Sequence, residues 1–216
     1  GREASAEQRF FLDVVLVAIA EHGLQKTAVA ARMTYAAAPD ALQGAVAAGL
    51  LGAGSVVLGA SESCGRLLKD AAARIAAGAT PDAAVAAEAA AIKAGGGKLP
   101  GYGHPLHKPR DARAEKILAL ADERRVAGVH VDLARRFVPA AERAWGPVLP
   151  MNVSMATAAV LLDLDFPAAM LKAIPLLGRT AGLLAHLAEE QEAPIGFRMA
   201  AAAEDAIAYG NDDDEK

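Results

Sequence analysis

Apolar residues Phe10, Leu12, Val15, Leu16 and Ile19 recur at helical spacing and predict an amphipathic helix over residues 6–20. Ser5 and Gln8 stand at its start with the spacing of a capping box, and His22 with Gly23 ends it. A second helix runs from Gln25 to about Ala37. Pro39 opens a third, glycine-rich helix that reaches the 60s and continues through "CGRLLKDAAARIAAG". Thr80, Pro81 and Asp82 read as N-cap, first-turn proline and first-turn acid of the next helix, "DAAVAAEAAAIKA", which stops at Gly95, Gly96 and Gly97. Helical spacing resumes in "DARAEKILALADERR". Further helices are predicted near 130–144, 151–164, 167–174, 176–191 and 198–208, with Pro147, Pro150, Pro167, Pro175 and Pro194 as breaks. The tail "NDDDEK" reads as a solvated end.

Composition sharpens this pattern into an all-α fold. Hydrophobic residues are 54% of the 216, but 55 residues are alanine and aromatics are only 4%, so closely packed helices are favoured over strands. The length suits one large domain, or one domain with a small cap. A net charge of -4, with bases and acids interleaved, speaks against nucleic acid as a partner. Residues 41–61 carry no charge and are long enough for a bilayer, but Gln43, Ser55 and five glycines make them too weakly apolar; a buried helix or subunit interface is expected, and no membrane partner. The single cysteine, Cys64, rules out an internal disulfide, fits a reducing cytoplasm and reads as a small buried hydrophobe. The opening "GREASAEQ" has no apolar signal core.

One loop breaks the alanine-rich monotony: "KLPGYGHPLHKPRDARAEK", residues 98–116. The triple glycine before Lys98 lacks phosphate-loop spacing and a preceding strand. In "PGYGHP" the glycines permit close backbone approach to a ligand, the prolines stiffen the loop, and His104 is a titratable group held between them, which suits acid-base chemistry. Lys108, Arg110 and Arg113 follow within a short stretch, so the implied ligand is anionic; a solvated basic turn is the plainer reading. The histidines have no metal-ligand spacing, so no metal is expected.

"GYGHPLHKPRDARAEK" resembles the signature of the citrate synthase family, in which G-x-G-H is followed by a cation and then D-P-R. The resemblance continues in family order through "EHGLQKTAVAAR", "LPMNVSMATAAVLLDLDFP" and "GRTAGLLAHLAEEQ", over roughly residues 10–200. It implies an all-α, dimeric protein with a large helical domain (1–95 and 166–216) and a small cap (96–165), similar to short bacterial citryl-CoA lyases. It also implies that His104 exchanges a proton with the oxaloacetate keto oxygen or citryl hydroxyl. Arg113 and Arg179 would hold substrate carboxylates, and His22 would line the same pocket. Leu99, Pro100, Gly101, Tyr102 and Gly103 would contact coenzyme A through their backbone, and Lys108 its phosphates. The CoA thioester enters as substrate, with no permanently bound cofactor.

Two departures qualify the resemblance. "SVVLGASE" aligns with the family's P-L-H-G-G-A-N-E and puts Val57 where a histidine stabilises the thioester enolate; "NVSMA" puts Ser154 where an aspartate moves the proton on the acetyl carbon. A further family arginine, which reaches the neighbouring subunit, is Ala193 here. Cleavage and synthesis of citryl-CoA pass through the same enolate, so neither direction escapes these changes. Three readings follow: a citryl-CoA lyase-like enzyme with His104 and Ser154 as its catalytic pair, a degenerate relative that binds a dicarboxylate or acyl-CoA as sensor or partner subunit, and a structural helical subunit.

Overall fold

A computed structural model describes residues 3–54, 58–103, 107, 109–146 and 149–207. Among them are ten α-helices and a short 3-10 helix. They divide into two compact units: the first comprises Gly1–Ala20 with Gly54–Gly178, the second Glu21–Ala53 with Arg179–Lys216. The expected cap boundaries, 95/96 and 165/166, both fall inside the first unit.

The first unit holds α1 (Ala6–Ala20), α4 (Ala60–Ala76), α5 (Pro81–Ala94), α6 (Ala112–Glu123), α7 (Val129–Trp145) and α8 (Val153–Asp163). The capping box forms as the sequence predicts: Ser5 Oγ accepts from Gln8 N–H at 3.1 Å, and Gln8 Oε1 accepts from Ser5 N–H at 3.0 Å. Thr80 likewise caps α5, accepting from Ala83 N–H at 3.3 Å, with Pro81 in the first turn. The centre of this unit is α8, apolar around most of its circumference and buried from Met155 to Leu162, as a helix without a polar face must be. It packs on α4, α6, α7 and α1. Fully buried side chains such as Met155 and Leu161 each contribute about 1.5–3 kcal/mol through apolar burial.

At the far end of α8, Asp163 caps α7 from outside. Its carboxylate accepts from Gly128 N–H (2.7 Å), His130 N–H (2.9 Å) and Val131 N–H (3.0 Å), and its Oδ1 lies 2.8 Å from His130 Nδ1. Burial alone would raise the Asp163 carboxyl, but His130 and these N–H groups outweigh it and leave it below the usual aspartate value. A carboxylate with a depressed folded pKa contributes stability that is present above the unfolded value of about 4 and is lost as pH falls through the folded one. Asp163→Asn is therefore expected to cost about 2 kcal/mol at pH 7. The urea midpoints of wild type and variant should converge as pH drops below about 4.

The second unit holds α2 (Lys26–Ala37), α3 (Leu42–Leu51), most of α9 (Ala173–Glu192) and α10 (Gly196–Ala206). Its small core is Ala28, Ala31, Ala45, Leu183 and Leu187. Gly49 sets the closeness of α3: a Cβ there would meet Leu183 Cδ1 and the Thr27 carbonyl oxygen at 2.8 Å each. Small residues thus let these backbones approach, as the composition suggests.

Three predicted elements differ. Where a glycine-rich helix from Pro39 into the 60s is expected, two helices are found: α3 ends at Leu51 and α4 begins at Ala60. At ten residues α3 is about 15 Å long, half a bilayer core. The helix expected at 167–174 is only a 3-10 turn, Ala168–Met170, and α9 already begins at Ala173. Pro175 does not separate two helices but lies in the first turn of α9, where its missing N–H costs no helical bond. Among the described residues, the segment Ala168–Glu192 is long and apolar enough to cross a membrane by length and composition alone.

Candidate functional site

In the first unit, the signature loop is tied to the chain entering α8. Gly103 N–H donates to the Pro150 carbonyl at 2.7 Å, Asn152 N–H donates to the Gly101 carbonyl at 2.9 Å, and Asn152 Nδ2 donates to the Gly103 carbonyl at 3.0 Å. Asn152 also caps α8, accepting from Ser154 N–H at 3.0 Å. The backbone leading into His104 is therefore fixed to the segment that carries Ser154. His104, Lys108 and Val57 themselves lie outside the described residues. Ser154 is the second residue of α8 and partly buried. Leu58, next to Val57, has a left-handed backbone with φ of 67°, unusual for leucine.

The loop's glycines have a second role that its sequence does not announce. Gly101, at φ of 82°, is buried, and a Cβ there would meet Met155 Cβ at 2.6 Å and Cys64 Sγ at 2.7 Å. Its bareness serves close approach to the unit's own core as well as any ligand. Leu99 and Tyr102 are buried too, and Tyr102 OH donates to the Ala134 carbonyl at 2.5 Å. Pro100 and Gly103 are the partly exposed members of the five. Burial pushes the Cys64 thiol up to about 12, so it stays protonated and behaves as the small buried hydrophobe expected.

Arg110 and Arg113 do not offer free converging cations. Arg110 Nε lies 3.1 Å from Glu115, and Arg113 grips Asp111 with two parallel bonds, Nε to Oδ1 at 3.0 Å and Nη2 to Oδ2 at 2.9 Å. Asp111 was not singled out in the sequence, yet it organises this corner. Its carboxylate caps α6 through Arg113 N–H at 3.1 Å and accepts from Val153 N–H at 3.0 Å, joining the starts of α6 and α8. Burial would raise its carboxyl; the Arg113 guanidinium and the two N–H groups prevail and hold it below the usual range. A substrate carboxylate at Arg113 must share a guanidinium already oriented by Asp111.

In the second unit the arrangement is the reverse. Arg179 is 3% exposed, and its Nε and Nη1 find no hydrogen-bond partner among the described residues. Burial lowers its pKa, and the charge of Glu21 opposes that shift. His22, partly buried, follows Glu21 directly at the end of α1. A buried guanidinium with two idle donors costs about 1–3 kcal/mol until an anion meets it. Among the described residues, no group of three or more His, Cys, Asp or Glu side chains is placed to hold a metal ion.

The family model for the citrate synthase C-terminal domain matches residues 1–199. The chain belongs to the citrate synthase family. Its structure is similar to that of citryl-CoA lyase from Hydrogenobacter thermophilus, with a TM-score of 0.85 and 25% identity, covering 100% of this chain and 81% of that one. It is also similar to ATP citrate lyase from Methanothrix soehngenii in complex with citrate and coenzyme A (TM-score 0.77, 22% identity, 99% and 36% of the two chains). A third similar structure is citrate synthase from Thermoplasma acidophilum in its ternary complex with carboxymethyl coenzyme A and oxaloacetate (TM-score 0.73, 22% identity, 89% and 51%). The chain thus spans about a third of the ATP citrate lyase and half of the Thermoplasma enzyme. No curated protein matches it by sequence. The all-α fold and the family resemblance carried by the signature loop are both as the sequence indicates; this citrate synthase relative is citryl-CoA lyase-like in structure.

Proposed function

We propose that the protein cleaves, or forms, a citryl-CoA-type thioester, interconverting it with acetyl-CoA and oxaloacetate. The observation that carries this reading is Arg179, a buried guanidinium with two unpartnered donors on the helix that matches the family's A-R-T segment. A di- or tricarboxylate supplies the missing partner, and Arg113 and His22 contribute further polar contacts. In cleavage His104 takes the proton of the citryl hydroxyl, and the carbon–carbon bond breaks as the ketone of oxaloacetate forms. The electron pair passes to the thioester as an enolate, which is then protonated at carbon from the side of Ser154. Backbone groups of Leu99–Gly103 and the Lys108 ammonium hold coenzyme A. The reading includes a homodimer in the cytoplasm, with no permanent cofactor.

His104→Ala is expected to lower the rate of citryl-CoA cleavage about a hundredfold, the lower end of general acid-base contributions. Full activity in that variant would sink the assignment. The serine at position 154 favours a second reading, a carboxylate- or CoA-binding sensor. Calorimetric binding of citrate and CoA without turnover of citryl-CoA would support that reading instead.

A further inference from the structure

His186 lies two turns beyond Arg179 on α9, and the mechanism above does not use it. It is 6% exposed, and its Nε2 stands 3.0 Å from Glu21 Oε2, off the line of a good hydrogen bond but at ion-pair distance. On its other side, Nδ1 faces Glu189 Oε2 at 3.8 Å, and that same oxygen lies 3.1 Å from Arg32 Nη1. The other oxygen of Glu21, Oε1, accepts a short hydrogen bond from Gly23 N–H.

Both oxygens of Glu21 therefore meet groups other than Arg179. Glu21 acts on the guanidinium through its charge, yet no hydrogen bond or ion pair joins the two among the described residues. A carboxylate released next to a buried unpaired guanidinium is expected to bond with it, since charge-assisted bidentate pairs are the strongest of their class. We propose that His186 is a positioning residue: by holding Glu21 it keeps Arg179 open for a substrate carboxylate. This rests on the function proposed above.

The test is calorimetric titration with citrate, oxaloacetate and CoA. His186→Leu should bind citrate about ten- to a hundredfold more weakly, the range a competing charged hydrogen bond implies, with CoA affinity unchanged. His186→Gln, whose amide nitrogen donates to Glu21, should stay within a few-fold of wild type. Adding Glu21→Gln to His186→Leu should restore citrate binding, because an amide cannot neutralise Arg179; a merely structural histidine would show no such rescue. Should His186→Leu fail to fold, Glu21→Gln alone must bind citrate at least as tightly as wild type. Unchanged citrate affinity in His186→Leu, absent rescue in the double variant, or weakened binding in Glu21→Gln alone overturns this proposal and leaves the functional reading intact. A wild type that binds neither citrate nor oxaloacetate overturns both.

Discussion

Glu190→Ala is expected to lower the free energy of unfolding by about 3–5 kcal/mol, the usual cost of stripping one partner from a buried ion pair. Arg32 and Glu190 are both almost fully buried, with Arg32 Nε donating to Glu190 Oε2 at 2.7 Å. The other carboxylate oxygen accepts from Ile195 N–H at 2.9 Å and Gly196 N–H at 2.6 Å, satisfying donors at the start of α10. One side chain thus joins α2 and α10 to the end of α9, and alanine leaves a buried guanidinium and two backbone donors without it. Urea unfolding at pH 7 measures the loss, which is a large share of a domain's typical stability.

A double variant separates the charge from the cap. Glutamine at 190 still offers an oxygen to the two N–H groups, and methionine at 32 removes the charge that needs an anion. Arg32→Met with Glu190→Gln is therefore expected to recover more than half of the loss. Burial would raise the Glu190 carboxyl, but Arg32 and the two N–H groups hold it below the usual value. Its contribution is present above about pH 4.3 and fades as pH falls through the lower folded pKa, so wild type and Glu190→Gln should converge in acid.

Local chemistry was legible wherever the partners lie within a few residues. Ser5 with Gln8 and Thr80 with Ala83 form within one turn, and their spacing alone announces them. The family motifs were legible because each is a short run of distinctive residues in a chain otherwise rich in alanine. The partnerships that shape the site were not legible, because they join residues far apart in sequence. Glu21 with His186 and Arg32 with Glu190 link the segment after α1 to α9. Asp111 carries no sequence signal of its own, and only the fold shows that it caps α6, grips Arg113 and reaches Val153. The break between α3 and α4 was missed for the opposite reason: alanine and glycine on both sides give no contrast for a boundary to show against.

The largest effect on activity is expected from restoring the two groups that the family places on the acetyl side. Val57→His with Ser154→Asp should raise turnover of citryl-CoA about a thousandfold, since a preorganised donor at an enolate is worth roughly a hundred- to a thousandfold and a general acid-base group adds to it. The Ser154 site is suited to the change. It is the second residue of α8, where the helix dipole favours a carboxylate, and Asn152 already caps the helix through Ser154 N–H. Ser154→Asp alone should therefore leave thermal stability within about 1 kcal/mol of wild type. Both groups act on charge that develops only as the carbon–carbon bond breaks, so kcat should rise while KM for citryl-CoA stays within a few-fold. Stopped-flow measurement of oxaloacetate release gives both parameters. Turnover unchanged from wild type in a folded double variant would mean that other groups already handle the enolate, or that the chain binds these ligands without reacting them; residual wild-type turnover decides between the two.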